Sequence, residues 1–180
     1  MGALDDAYRR RDEAEHSRQQ QVAEEARQAA AELDLGKQLA DDFLRRTHKL
    51  GLAPESTVYD ITYEVVTDMV RDVLGSGKRT IPASSSPSEV GRTPAGKAYD
   101  LGWGHFHFWL SPTGRRVVTR RGEERTRHSI LGKRTTTRYT EHCTEDPLLP
   151  VYTLLDQWGD DMGFSVADAM VRYLENRGRR

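Results

Sequence analysis

Two histidines, His105 and His107, stand between Trp103 and Trp109 in the run YDLGWGHFHFWLSPTGRRVVTRR, Tyr99 to Arg121. On a strand an i, i+2 pair shares one face with Cα atoms about 6.6 Å apart, which suits two ligands of one cation. Zinc takes at least three protein ligands, and His142, Cys143, His128 or Glu141 are the further donors on offer. His142 and Cys143 point to opposite faces of a strand, so only one of them converges on the pair. No HExxH or paired CxxC spacing accompanies these residues. The chemistry they suggest is that of a metal-dependent hydrolase or nuclease with zinc at His105 and His107. The plainer reading sets both histidines beside the tryptophans on a partly buried sheet face, with no cofactor.

A second chemistry adjoins the first. The block from Arg115 to Arg138 holds Arg115, Arg116, Arg120, Arg121, Arg125, Arg127, Lys133, Arg134 and Arg138 against only Glu123 and Glu124. Arginine's planar fork donates two hydrogen bonds to a phosphate, and tryptophans such as Trp103 and Trp109 can stack an unpaired base. Sign and residue type fit an acidic partner, with nucleic acid the first candidate. The sequence pI of 6.6 nevertheless lies well under the value above about 9 of dedicated nucleic-acid-binding domains. An ordinary salt-bridged sheet face is the competing explanation.

Other groups carry less. Cys143 has His142 beside it, but adjacency makes no nucleophilic dyad, and a lone cysteine usually serves as a small buried apolar group. Gly75-Ser76-Gly77-Lys78 echoes a phosphate-binding loop, yet Asp72 stands where the first glycine belongs and Arg79 replaces the Ser or Thr. The acidic pairs Asp41-Asp42, Glu145-Asp146 and Asp160-Asp161 suit exposed helix, cap and turn positions better than acid/base work.

The 180 residues are 36% apolar and 31% charged with a net charge of -1, enough for one main core. The charge is segregated. Residues 1–60 carry 9 basic and 13 acidic groups, residues 61–140 carry 14 and 7, and residues 141–180 carry 4 and 8. One cysteine excludes an internal disulfide and points to a reducing, cytoplasmic compartment. No apolar run reaches the ~20 residues of a spanning helix, so a membrane is not an expected partner. Arginine outnumbers lysine 22 to 5, a bias of GC-rich codons that suggests a high-GC bacterium or its phage.

These residues need elements to position them. Leu4 to Leu50 is rich in Ala, Glu, Gln, Arg and Leu without proline, which predicts helix. Its seam of Val22, Ala26, Ala29, Leu33, Gly36, Ala40, Phe43, Thr47 and Leu50 alternates in steps of four and three, while the run before Val22 has little to bury. A continuous helix would span roughly 75 Å, and a break at Asp34-Leu35-Gly36 is the alternative. In VYDITYEVVTDMVRDVL the apolar Val58, Ile61, Val65, Met69 and Val73 share a helical face and predict a core helix. Serine, proline and glycine make 76–97 an exposed loop. Alternation from Tyr99, the turn Ser111-Pro112-Thr113-Gly114 and RRVVTRR predict a β-hairpin, with KRTTTRYTEH as a further strand. Asp146-Pro147 opens a short helical segment through Trp158, and Ser165 with Asp168 forms a capping box before VADAMVRYLENR.

The expected fold is α+β: a long N-terminal helical segment, a core helix, a small antiparallel sheet of two to four strands and C-terminal helices. Residues 1–36 form a polar arm for oligomerisation, and 37–180 a single domain. The expected function is that of a non-enzymatic intracellular protein that forms a homo-oligomer through its N-terminal helix. It presents the basic-aromatic hairpin to nucleic acid or an acidic protein. The alternatives are the metal-dependent enzyme and a phage or mobile-element structural or accessory protein.

Overall fold

The computed structural model describes residues 3–71, 80–102, 107–129, 134–152 and 163–178. In chain order the elements are α1 (Ala3–Lys49), β1 (Ser56–Arg71), β2 (Thr80–Ser84), β3 (Ser88–Asp100), β4 (Trp109–Leu110), β5 (Arg116–His128), β6 (Arg134–Asp146), β7 (Val151–Tyr152), β8 (Phe164–Ser165) and α2 (Val166–Gly178). They fall into two compact units, one built from residues 1–51 and 147–180, the other from 52–146.

The central unit corrects the expected small sheet. Its six strands run in the order β2-β1-β3-β4-β5-β6, and β1 also pairs with β6, so β1, β3, β4, β5 and β6 close a five-stranded barrel. The expected core helix is strand β1. Its Tyr59, Ile61, Tyr63 and Val65 alternate with Asp60, Thr62 and Glu64, a period of two that the residues at helical spacing overlay. Its Val, Ile, Thr and Tyr content suits a pleated surface better than a helix. Within the segment read as an exposed loop, residues 80–84 and 88–100 are strands β2 and β3, both antiparallel to β1. Together they form one return strand interrupted at 85–87, where Ser85 N–H donates to the Val66 carbonyl at 2.7 Å and Ser85 Oγ accepts from Val66 N–H at 3.0 Å.

The turn at 111–114 forms as the residue types predict. Ser111 Oγ accepts from the backbone N–H of Thr113 and Arg115, and Gly114 takes φ 78°, a region open to glycine. The barrel core is Val58, Ala98 and Val117, with Trp109 and Cys143 packed against it. Tyr99, Leu101, Phe108 and Leu110 are buried as well.

In the other unit α1 is continuous over 47 residues, about 70 Å at 1.5 Å per residue, without a break at Gly36. Local pairs support it, among them Gln38 to Asp34 at 2.7 Å and Arg46 to Asp42 at 2.7 Å. Gly51, at φ 69°, follows its last turn. The predicted seam divides. Gly36, Ala40, Phe43 and Thr47 are buried, whereas Val22, Ala26, Ala29 and Leu33 are exposed. Phe43 meets Tyr173 of α2 edge-on with ring centroids 5.7 Å apart, and Leu148, Phe164, Val166, Ala169 and Met170 are also buried in this unit.

The C-terminal helices reduce, among the described residues, to α2 alone, preceded by the two-stranded β7–β8 sheet. The helical segment expected from Asp146-Pro147 through Trp158 does not form where it is described: residues 147–150 are irregular and Val151–Tyr152 is strand β7, while 153–158 lie outside the described residues. Ser165 caps α2, its Oγ accepting the Asp168 N–H at 3.4 Å. No helix among the described residues is long and apolar enough to cross a membrane.

Gly36 has a role different from the capping its sequence suggests. A Cβ there would lie 1.9 Å from the Leu148 carbonyl oxygen. Gly36→Ala should therefore destabilise the protein by about 1–3 kcal/mol despite alanine's better helix propensity. Urea unfolding followed by circular dichroism measures this, and an unchanged or raised midpoint would refute it.

Candidate polyanion-binding trough

The β1–β6 register places complementary side chains opposite one another. Antiparallel partners share a face, so Thr62 faces Thr140, Glu64 faces Arg138 and Asp68 faces Arg134. The Thr62 and Thr140 hydroxyls share a hydrogen bond at 3.0 Å, Arg138 donates to Glu64 at 2.8 Å, and Arg134 lies 3.4 Å from Asp68. One step beyond, His142 Nδ1 donates to Asp60 Oδ2 at 2.9 Å, and Asp60 Oδ1 accepts the Cys143 N–H at 2.8 Å. The Cys143 N–H and then the His142 hydrogen bond hold the Asp60 carboxyl below its ordinary range, against a smaller opposing effect of burial.

Strand β5 adds a second row. It carries a bulge between Arg121 and Glu124, after which Arg125 pairs with Arg138 and Arg127 with Thr136. Gly122 in the bulge makes room for a ring: a Cβ there would lie 2.8 Å from His142 Cδ2 and 3.0 Å from its Nε2. Two adjoining cavities result. One, about 340 Å³, is lined by Glu64, Arg125, Arg127, Thr136 and Arg138. The other, about 480 Å³, includes Arg125 and Arg138 together with Glu123, Thr140 and His142. The shared arginines join them into one trough.

The arginines of the block differ in what satisfies them. Arg115 lies 3.9 Å from Glu145, Arg120 donates to Asp146 at 2.6 Å, and Arg121 pairs with Glu124. Arg116 lies over the Phe108 ring, 5.3 Å from its centroid. Arg125 and Arg127 have no carboxylate partner among the described residues. Arg125 instead faces Arg138 in register, a like-charge pair that Glu64 offsets from one side only. Lys133, Trp103 and His105 lie outside the described residues.

Trp109, the described aromatic of the expected surface, is already engaged. His107 stacks on Trp109 with centroids 5.4 Å apart and an interplanar angle of 16°. Trp109 is half-buried against the barrel core and pairs with Val117, at the turn end of β5 and before the bulge. Tyr63 stacks on Tyr139 at 5.4 Å, and the Arg121 guanidinium covers Tyr139 at 3.8 Å.

His107 Nδ1 lies 3.3 Å from Asp100, and among the described residues no three His, Cys, Asp or Glu side chains gather as metal ligands would. The Cys143 thiol is raised above its usual value, by burial first and by the Asp60 charge second, and donates to the Tyr59 carbonyl at 3.2 Å. A protonated thiol in that position is a structural group, not a nucleophile.

Sequence reasoning named Arg125, Arg127 and Arg138 and offered His142 only as a metal ligand or as a neighbour of Cys143, but missed Asp60, Glu64 and Gly122. A signal for the two acids and for the place of His142 exists. Asp60, Glu64 and Asp68 repeat every four residues, as Arg134, Arg138 and His142 do in the reverse direction.

Because folding lowers the Asp60 pKa, its contribution to stability is full above the ordinary value of 3.8 and disappears as pH falls through the lower native value. Asp60→Asn should therefore lower the melting temperature at neutral pH and flatten its decline on acidification. Melting curves at pH 7 and pH 3 that match wild type would refute this. The chain matches no protein-family model, no curated protein and no solved structure.

Proposed function

We propose that the protein is an assembling binding protein whose β5–β6 hairpin holds a polyanion, with the nucleic-acid backbone as the partner. The observation that carries this reading is Arg125 in register with Arg138, beside Arg127, in a trough whose described lining has Glu64 and Glu123 as its acidic residues. A phosphate placed there relieves the repulsion between two guanidinium groups and receives their paired donors. Base stacking has little support, because the described aromatics Trp109, Tyr63 and Tyr139 are already covered. Binding through backbone phosphates, insensitive to sequence and steeply dependent on salt, follows.

Assembly rests on α1. The seam that packs at Gly36, Ala40, Phe43 and Thr47 continues in step through Leu33, Ala29, Ala26 and Val22, which are exposed in the single chain. A second copy of the same helix supplies a matching stripe.

Two measurements test these parts separately. In fluorescence anisotropy with labelled single-stranded DNA, duplex DNA and RNA, affinity should fall by roughly tenfold or more between 50 and 200 mM salt. Arg125→Ala/Arg127→Ala should weaken binding at least tenfold, while Arg115→Ala changes it little. No binding to any of the three at low salt would end the nucleic-acid reading. For assembly, light scattering should give a multiple of 20.5 kDa for wild type and 20.5 kDa for Val22→Glu/Leu33→Glu. A wild-type monomer would remove the helix's role.

A further inference from the structure

The trough contains a base as well as an anion cradle. His142 gives Nδ1 to Asp60, and that carboxylate is itself fixed by the Cys143 N–H on its other oxygen. With Nδ1 committed as a donor, neutral imidazole carries its lone pair on Nε2. The ring crosses the bulge at Gly122 and lines the same cavity as Arg125, Arg138 and Thr140. The His142 side chain is 52% exposed, so a ligand in the trough can reach it. A histidine oriented by a carboxylate beside paired guanidinium groups is the equipment for removing a proton next to a phosphate.

We propose that the trough cleaves RNA, with His142 as general base, Asp60 as positioning residue, and Arg125 and Arg138 stabilising the charge that builds on phosphorus. This rests on the nucleic-acid reading above and adds an activity to it. His142 Nε2 takes the proton of a ribose 2′-hydroxyl. The 2′-oxygen forms a bond to the adjacent phosphorus, and the bond from phosphorus to the 5′-oxygen breaks. The 5′-oxygen takes a proton from water, and the resulting hydroxide is neutralised by the proton on imidazolium. The products are a 2′,3′-cyclic phosphate and a 5′-hydroxyl, with no net water or redox partner consumed. DNA lacks the 2′-hydroxyl, so it binds and stays intact.

The test uses the full chain with 5′-labelled RNA and DNA of one sequence in EDTA, read on denaturing gels, with anisotropy in parallel. RNA should be cut to fragments ending in cyclic phosphate, and DNA should not. His142→Asn, whose amide can still donate to Asp60 but offers no base, should lose about 100-fold or more of the cleavage rate, a far larger loss than any change in DNA affinity, which Arg125 and Arg127 carry. Asp60→Asn turns an amide N–H toward Nδ1 and so favours the tautomer with its proton on Nε2, where no base remains; kcat should fall about 100-fold with KM little changed. A loss confined to KM and stability, as a purely structural role would give, overturns the assignment of Asp60. RNA that is bound but not cut, or cut equally by His142→Asn, overturns the proposed activity and leaves the binding reading standing. Failure to bind either nucleic acid overturns both.

Discussion

Closure of β1 onto β6 is the constraint on which the central unit depends. Without it the strands would form an open sheet with β1 and β6 far apart in the order, and neither the core beneath Trp109 nor the trough would exist. The pairing spans Ile61 to Asp68 against Glu141 to Arg134 and is specified by charge and hydroxyl complementarity at alternate positions. A slip of one residue would send Tyr63 and Tyr139 to the outer face and bring Glu64 and Arg138 inward. Each exposed ion pair is worth at most about 1 kcal/mol. Their value lies in selecting one register, and the Asp60 contacts with His142 and Cys143 fix its end.

That register has an electrostatic by-product. The acids of β1 are matched to the bases of β6, so they are used up in closing the barrel. The arginines that β5 adds beyond its bulge arrive with few carboxylates left to meet them. Positive charge at Arg125 and Arg127 is thus an outcome of topology, and the sequence's net charge of -1 conceals it.

How much of this could be read from the chain varied with how local the determining physics was. Helix α1 was legible because composition and the absence of proline agree over its 47 residues, and the seam supports it from Val22 onward. The turn at 111–114 and the Ser165 cap were legible for the same reason. Strand β1 was misread because Val58, Ile61, Val65 and Met69 happen to satisfy a helical spacing, while its alternation becomes decisive only with β3 and β6 as partners. Gly36 looked like a cap, and only the Leu148 carbonyl across from it reveals a close approach. Arginines could be named from the block, but which of them meet could not. The bulge at Gly122 changes the parity of β5, so Arg121 faces Glu141 while Arg125 and Arg127 join the opposite face.

The first unit is assembled from both ends of the chain, 1–51 and 147–180, with the barrel unit between them. During synthesis, Gly36 and Phe43 therefore leave the ribosome well before Leu148, Met170 and Tyr173 exist to meet them. The barrel's strands, contiguous from 52 to 146, are complete earlier and can close while α1 still waits. Vectorial synthesis thus imposes an order in which the middle of the protein matures before its beginning, and leaves an apolar helix face uncovered for that interval.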